Sequence, residues 1–164
     1  MAVMAPVDVA AARGRVRPAG PADTEAVLAC LQSCDLTLAG VGTPDLHLSV
    51  LETRTGQTVG VTGYEADGPH ALIRSVAVAP GLRGNGLGVM LAEVAFDQAT
   101  SGGAEQLWLF SRRSGAFWQR LGFRLTPTDN LVAALPHTWQ VTHFTESGQI
   151  TREIAWTRAA EHPD

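Results

Sequence analysis

Apolar and polar positions alternate along His47-Leu-Ser-Val-Leu-Glu-Thr53 and again along Thr58-Val-Gly-Val-Thr-Gly-Tyr64, with Gly56 between the two runs. A period of two places successive side chains on opposite faces of a strand, and the glycine supplies the turn, so the pair reads as an antiparallel hairpin. Upstream, Val16 and its neighbours form a short first strand. Gly20-Pro21 opens a helix with Pro at the first helical position and Asp23 in the first turn, and Val27, Leu28, Leu31 and Cys34 make its buried stripe. After the loop Ala66-Asp-Gly-Pro69, the strand Ala71 to Val78 runs into a glycine-rich turn. From Leu87 the period changes: Leu87, Met90, Leu91, Val94 and Ala95 recur at helical spacing until Ser101-Gly-Gly103.

Gln106-Leu-Trp-Leu-Phe-Ser111 is apolar almost throughout, the mark of a strand covered on both faces. Arg112 to Leu121 reads as a short helix capped by Gly122, and Phe123 to Thr126 as a strand. Pro127 to Ser147 reads as irregular, and Ile150 to Trp156 as the last strand. Residues 1–14, small and without period, read as a disordered tail, and 15–160 as a single domain.

Composition narrows the partners. The chain has 164 residues, 45% of them apolar and 17% charged, which suits one globular core. A formal charge of −4 gives no reason to expect nucleic acid. No apolar run approaches the roughly 18–20 residues that span a bilayer, and Met1 to Ala12 lacks a cationic start, so a cytoplasmic protein is expected. Cys30 and Cys34 share a helix face, but four ligands are needed for a structural zinc site and no Cys/His cluster joins them. Small core packing is the expectation, with no metal.

The candidate chemistry lies in Val76-Ala-Val-Ala-Pro-Gly-Leu-Arg-Gly-Asn-Gly-Leu-Gly88. Gly84, Gly86 and Gly88 let backbone approach a ligand closely, and the helix they open presents unpaired N–H groups and a positive dipole end, a setting made for phosphate. The P-loop is excluded because no Lys-Ser/Thr ends the run. The dinucleotide fingerprint is excluded because the glycines fall at every second position.

Arg83-x-x-Gly86-x-Gly88 after a Val-x-Val-x-Pro strand resembles the acetyl-coenzyme-A signature of the GCN5-related N-acetyltransferase (GNAT) superfamily. Ala116-Phe-Trp-Gln-Arg-Leu-Gly-Phe123 resembles the helix-into-strand ending of the same family, at the expected distance downstream. The resemblance implies an α/β (α+β) fold, a mixed, mostly antiparallel sheet of about six to seven strands flanked by about four helices. It implies acetyl-CoA as co-substrate, with pantetheine paired to the backbone of Val76 and Val78 and pyrophosphate on Arg83, Gly84, Asn85, Gly86, Leu87, Gly88 and Val89. The backbone N–H at Val78 would polarise the acetyl carbonyl.

Two departures from the family pattern bear on catalysis. Where many members carry a tyrosine acid, this chain has Trp118, leaving water, Ser111 or Ser114 to protonate the thiolate, or a thiolate that leaves unaided. Where some carry a glutamate base ahead of the Val-x-Val pair, this chain has Leu72 and Arg74, on a face read as shared with Val76 and Val78. Arg74, with Ser75 and Arg112, is therefore a candidate for holding an acidic acceptor. Glu65 is the candidate base and His70 the alternative. Arg113 is a second cation near the site mouth.

Gly63-Tyr-Glu65, Ala71 to Pro80, Leu107 to Ser111 and Phe117-Trp118 are similar to the subgroup of N-acetyltransferases associated with arsenic-resistance operons, whose acceptors resemble acidic amino acids. The function expected is acetylation of the primary amine of a small acidic acceptor by direct attack in a ternary complex, by a monomer or homodimer, with a role in detoxification or resistance. The alternatives are a protein or peptide N-acetyltransferase and a non-catalytic acetyl-CoA-binding module.

Overall fold

The computed structural model describes residues 14–160; the expected tail at 1–14 lies, but for its last residue, outside them. Seven strands form one sheet in the order β1-β2-β3-β4-β5-β7-β6. They are β1 Arg15–Pro18, β2 Leu46–Glu52, β3 Thr58–Asp67, β4 His70–Val78, β5 Gln106–Phe110, β6 Arg124–Thr126 and β7 Ala155–Ala159. Every neighbouring pair is antiparallel except β4 with β5. Five helices flank the sheet: α1 Thr24–Ser33, α2 Leu87–Ser101, α3 Gly115–Arg120, α4 Thr128–Ala134 and α5 Trp139–Ser147.

Both faces of the sheet are covered. On one, α2 sets Leu91, Ala92, Ala95 and Phe96 against Ile73, Val78 and Leu109, and α3 adds Trp118. On the other, Val27 and Leu31 of α1 pack on Val50, Val61 and Ala77, while Leu131 of α4, Leu135 just after it and Val141 of α5 cover Leu72 and Trp108. In α1 the buried stripe is Val27, Cys30 and Leu31, with Leu28 and Cys34 half-buried, a small rotation from the expected face.

Three expectations are corrected. The stretch 127–147 is not irregular: it carries α4 after Pro127 and α5 after Thr138. The last strand begins at Ala155, because Gly148 (φ 78°) ends α5 and Gln149–Arg152 form a 3-10 turn. The third lies in β4. Leu72, Arg74, Val76 and Val78 do not share a face, because the register with β3 shifts by one between Val61 and Gly63. Ser75, at φ 62°, is the extra residue of a β-bulge. Ile73, Val76 and Val78 consequently all face α2, while Leu72 and Ala77 face the other side.

Candidate functional site

β4 and β5 pair only at His70 with Gln106, Ala71 with Leu107 and Leu72 with Trp108. Beyond that point both strands continue, β4 to Val78 and β5 to Phe110, without pairing. The sheet opens there, and each edge of the gap carries backbone groups that the other strand does not use. Ala79 donates its N–H to the Val59 carbonyl at 2.9 Å. By the alternation of an antiparallel ladder, the neighbouring Val78 therefore turns its N–H and C=O away from β3 and into the gap. The Val78 carbonyl is met by the Cys34 thiol, which donates to it at 3.2 Å.

The gap leads directly to the glycine turn. A 3-10 turn, Pro80–Leu82, carries the chain to Arg83, and Gly84 (φ 83°) and Gly86 (φ 76°) bend it in the left-handed region before α2 begins at Leu87. A Cβ at either glycine would meet no atom within 4 Å, so what demands glycine is backbone conformation and open space in front of it. Asn85 folds back, its amide donating to the carbonyls of Leu82 at 3.0 Å and Arg83 at 3.2 Å. No side chain caps α2, so its first N–H groups remain available to an anion.

A cleft of about 650 Å³ occupies this position, lined by Val76, Val78, Arg83, Gly84, Gly86, Gly88 and Val89 on one side and by Ser111, Ser114, Phe117 and Trp118 on the other. Asn85 and Leu87 do not line it: the first braces the loop and the second is 2% exposed in the core. A second cleft, about 610 Å³, shares Arg74, Ser75, Val76, Val78 and Ser111 with the first and opens across the gap toward α1 and α5. The two meet where the strands part.

The predicted acid–base residues lie elsewhere. Glu65 is fully buried and lines neither cleft. Its Oε1 accepts the N–H of Trp139 at 2.6 Å, and its Oε2 accepts the N–H of Gln140 at 3.3 Å and Arg74 Nη1 at 3.2 Å. It caps the start of α5, the more so because Thr138 makes no side-chain cap. This placement argues against Glu65 as a base. His70 sits at the opposite end of β4, its Nδ1 accepting Trp108 Nε1–H at 3.1 Å, and lines neither cleft. Trp118 is buried among Phe96, Phe117 and Phe123 and offers no hydroxyl.

Arg74 does reach the clefts. It lines both clefts, yet its guanidinium donates to Glu65, to the Ala39 carbonyl at 2.6 Å and to Ser75 Oγ at 3.2 Å. Burial pulls its pKa below the ordinary arginine range, and the Glu65 charge and hydrogen bond oppose that. Arg112 and Arg113 also line the second cleft; Arg112 lies 3.5 Å from Glu153, and Arg113 donates to the Asp35 carbonyl at 3.2 Å. Ser111 Oγ accepts the Ser114 N–H at 3.1 Å, which leaves its own proton free to give.

Two residues of the second cleft escaped the sequence reading. Gln140 is 5% exposed, and its carboxamide has no hydrogen-bond partner among the described residues. Glu153, with a side chain 6% exposed, also lines this cleft. Gln140 lies in the stretch that reads as patternless and Glu153 in the one that reads as the last strand, and only the fold of α5 and the turn after it brings them to the gap. Among the described residues no group of three or more His, Cys, Asp or Glu is placed to hold a metal, and no helix is long and apolar enough to cross a membrane.

The model of the acetyltransferase (GNAT) family matches residues 23–123, more than half of the chain, and the chain belongs to that family. Among solved structures it is similar to N-acetylglutamate synthase from Neisseria gonorrhoeae complexed with coenzyme A and N-acetyl-glutamate, at 21% identity and a TM-score of 0.73. That likeness covers 90% of this chain and 35% of the synthase, so the chain spans about a third of that protein's length. It is also similar to Mycobacterium tuberculosis Rv2747 in complex with CoA (17% identity, TM-score 0.69, 88% and 98% covered). A third is an aminoglycoside 6'-N-acetyltransferase complexed with coenzyme A (12%, 0.63, 92% and 99%). No curated protein matches. At these identities the structural likeness speaks for the fold.

Proposed function

We propose that the protein is an acetyl-CoA-dependent N-acetyltransferase that acetylates the primary amine of a small acidic acceptor in the cytoplasm. The observation that carries the reading is the parting of β4 from β5 beyond the Leu72–Trp108 pair, directly above the glycine turn. Pantetheine would complete the ladder that β5 abandons, at Val76 and Val78, and the pyrophosphate would lie on the backbone of residues 83–89 with Arg83 beside it. The Val78 N–H would polarise the thioester carbonyl.

The amine attacks from the second cleft. The new C–N bond forms as the C–S bond breaks, and Ser111 Oγ–H, at the junction of the clefts, protonates the departing thiolate. The acidic acceptor is supported by the charges lining the second cleft: Arg74, Arg83, Arg112 and Arg113 against Asp35 and Glu153. Such an excess favours a carboxylate or similar anion on the amine and disfavours a polyamine. The similarity to the arsenic-resistance-associated subgroup points to the same acceptors, and Gln140 adds an unspent donor and acceptor inside the cleft.

The reading is tested by release of free coenzyme-A thiol from acetyl-CoA with paired acceptors, each amino acid against its decarboxylated amine. Turnover that requires the carboxylate supports it. Turnover confined to polyamines or peptides contradicts the acceptor class, and saturable coenzyme binding with no turnover on any amine contradicts the enzyme.

A further inference from the structure

We propose that Glu153 is the general base that takes the proton from the acceptor's ammonium group; the inference rests on the transferase reading above. An amine arrives at neutral pH mostly as R–NH3+ and attacks only as R–NH2, so the acceptor cleft needs a proton acceptor. Of the earlier candidates, Glu65 is sealed behind α5 and His70 lies at the far end of β4. Among the residues lining the two clefts, the carboxylates are Asp35 and Glu153, and no histidine lines either. Asp35 is solvent-exposed at the end of α1.

Glu153 is withdrawn from solvent and held. Its Oε1 accepts Gln149 Nε2–H at 3.0 Å and lies 3.5 Å from Arg112 Nε, while its Oε2 makes no hydrogen bond. No side-chain oxygen among the described residues is both sealed and unpartnered, so Oε2 keeps contact with solvent, and Glu153 lines the cleft. The next residue, Ile154, accepts the Ser111 N–H on its carbonyl at 2.9 Å, which ties Glu153 to the end of β5, beside the junction of the clefts. The other charged or titratable groups facing this cleft are Cys34, Asp35, Arg74, Arg83 and Arg113.

The protons balance as follows. Glu153 Oε2 accepts one proton from R–NH3+ and later releases it to solvent. The amine attacks the acetyl carbon, the C–S bond breaks, and the second nitrogen proton replaces the one that Ser111 gives to the thiolate. The products are the amide, coenzyme A with its thiol, and one proton.

The test is the pH dependence of kcat/KM for the full chain and for Glu153→Gln, with an amino-acid acceptor identified by thiol release, and with coenzyme A binding measured calorimetrically in both. Glu153→Gln is expected to bind coenzyme A as the parent does and to lose about 10²-fold or more in kcat/KM near neutrality. Its defect shrinks as the pH rises through the α-amino range of about 7.7–8.0, where the acceptor deprotonates unaided. Glu153→Asp, keeping a carboxylate at shorter reach, retains the acid limb at a reduced rate. A Glu153→Gln protein with the parental rate and acid limb overturns the base while leaving the transferase intact. A parent chain that acetylates no amine overturns the transferase reading and the base together.

Discussion

The Glu65 carboxylate and the Arg74 guanidinium meet at 3.2 Å inside the protein, their side chains 1% and 3% exposed. The pair joins β3 to β4 and, through the N–H groups of Trp139 and Gln140, ties both to α5, the wall of the acceptor cleft. Breaking a buried pair leaves an uncompensated charge, so Glu65→Ala is expected to cost about 3–5 kcal/mol in urea denaturation. Replacing both residues together, Glu65→Leu with Arg74→Met, is expected to cost less than Glu65→Ala alone. A single variant as stable as the parent would contradict the role given to this pair.

Gly86 opens α2 at φ 76° with nothing in front of a Cβ. Gly86→Ala is expected to strain the turn by about 1–2 kcal/mol and to put a methyl group where the pyrophosphate would lie. Where the free variant relaxes out of the left-handed turn, binding has to restore it, so the calorimetric Kd for coenzyme A should rise, by up to about 5- to 30-fold from that strain, with acceptor KM little changed. An unchanged Kd would remove the phosphate from this loop.

The Gln140 carboxamide lines the second cleft with no hydrogen-bond partner among the described residues. If it bonds the acceptor's carboxylate, Gln140→Leu loses a hydrogen bond to a charged group, about 1.5–3 kcal/mol, or about 10- to 150-fold in acceptor KM. Coenzyme A KM stays as in the parent. Steady-state kinetics with each substrate varied in turn separates the two.

Acid stability should report on β1. Arg17 donates to both Asp23 oxygens at 2.8 Å and to Glu52 at 2.9 Å. The Arg17 hydrogen bonds, and for Asp23 the Gly20 N–H as well, hold both carboxyls below their ordinary range. Groups depressed on folding contribute stability above their unfolded values of about 3.9–4.3, and lose it as pH falls through the folded ones. The Tm difference between the parent and Arg17→Gln should therefore be full at neutral pH and should close as the pH drops below about 4.

The two cysteines should separate chemically. Burial, then the neighbouring Cys34, pushes the Cys30 thiol up to about 12, whereas Cys34 is half-buried and lines the acceptor cleft against Val78. Iodoacetamide followed by peptide mass mapping is expected to find Cys34 modified first and to find it protected by acetyl-CoA. Equal labelling in the presence and absence of acetyl-CoA would contradict the junction drawn at Val78.

Much of the frame was legible in the chain. The β2–β3 hairpin, the strand ending at Val78, the glycine turn and α2 all announce themselves by period and by residues with one conformational use. What stayed hidden depends on tertiary partners. The bulge at Ser75 carries no glycine or proline to mark it, so alternation through Arg74 and Val76 misassigned the face. Glu65 reads as a strand-end carboxylate until Trp139 and Gln140, more than seventy residues on, arrive to cap their helix on it. Helices α4 and α5 are short, seven and nine residues, and both follow residues, Pro127 and Thr138, that also suit loops. Gln140 was lost with them, and Glu153 was lost because Ile150 to Trp156 reads as a strand where the chain turns before Ala155.

The most direct test of the central claim is a crystal structure with coenzyme A bound. Pantetheine is expected in the gap between β4 and β5, hydrogen-bonded to the backbone of Val76 and Val78, with the pyrophosphate on the N–H groups of residues 83–89 and the sulfur toward Ser111. Coenzyme seated outside that gap, or a gap closed by pairing of β4 with β5 beyond Leu72 and Trp108, would contradict it.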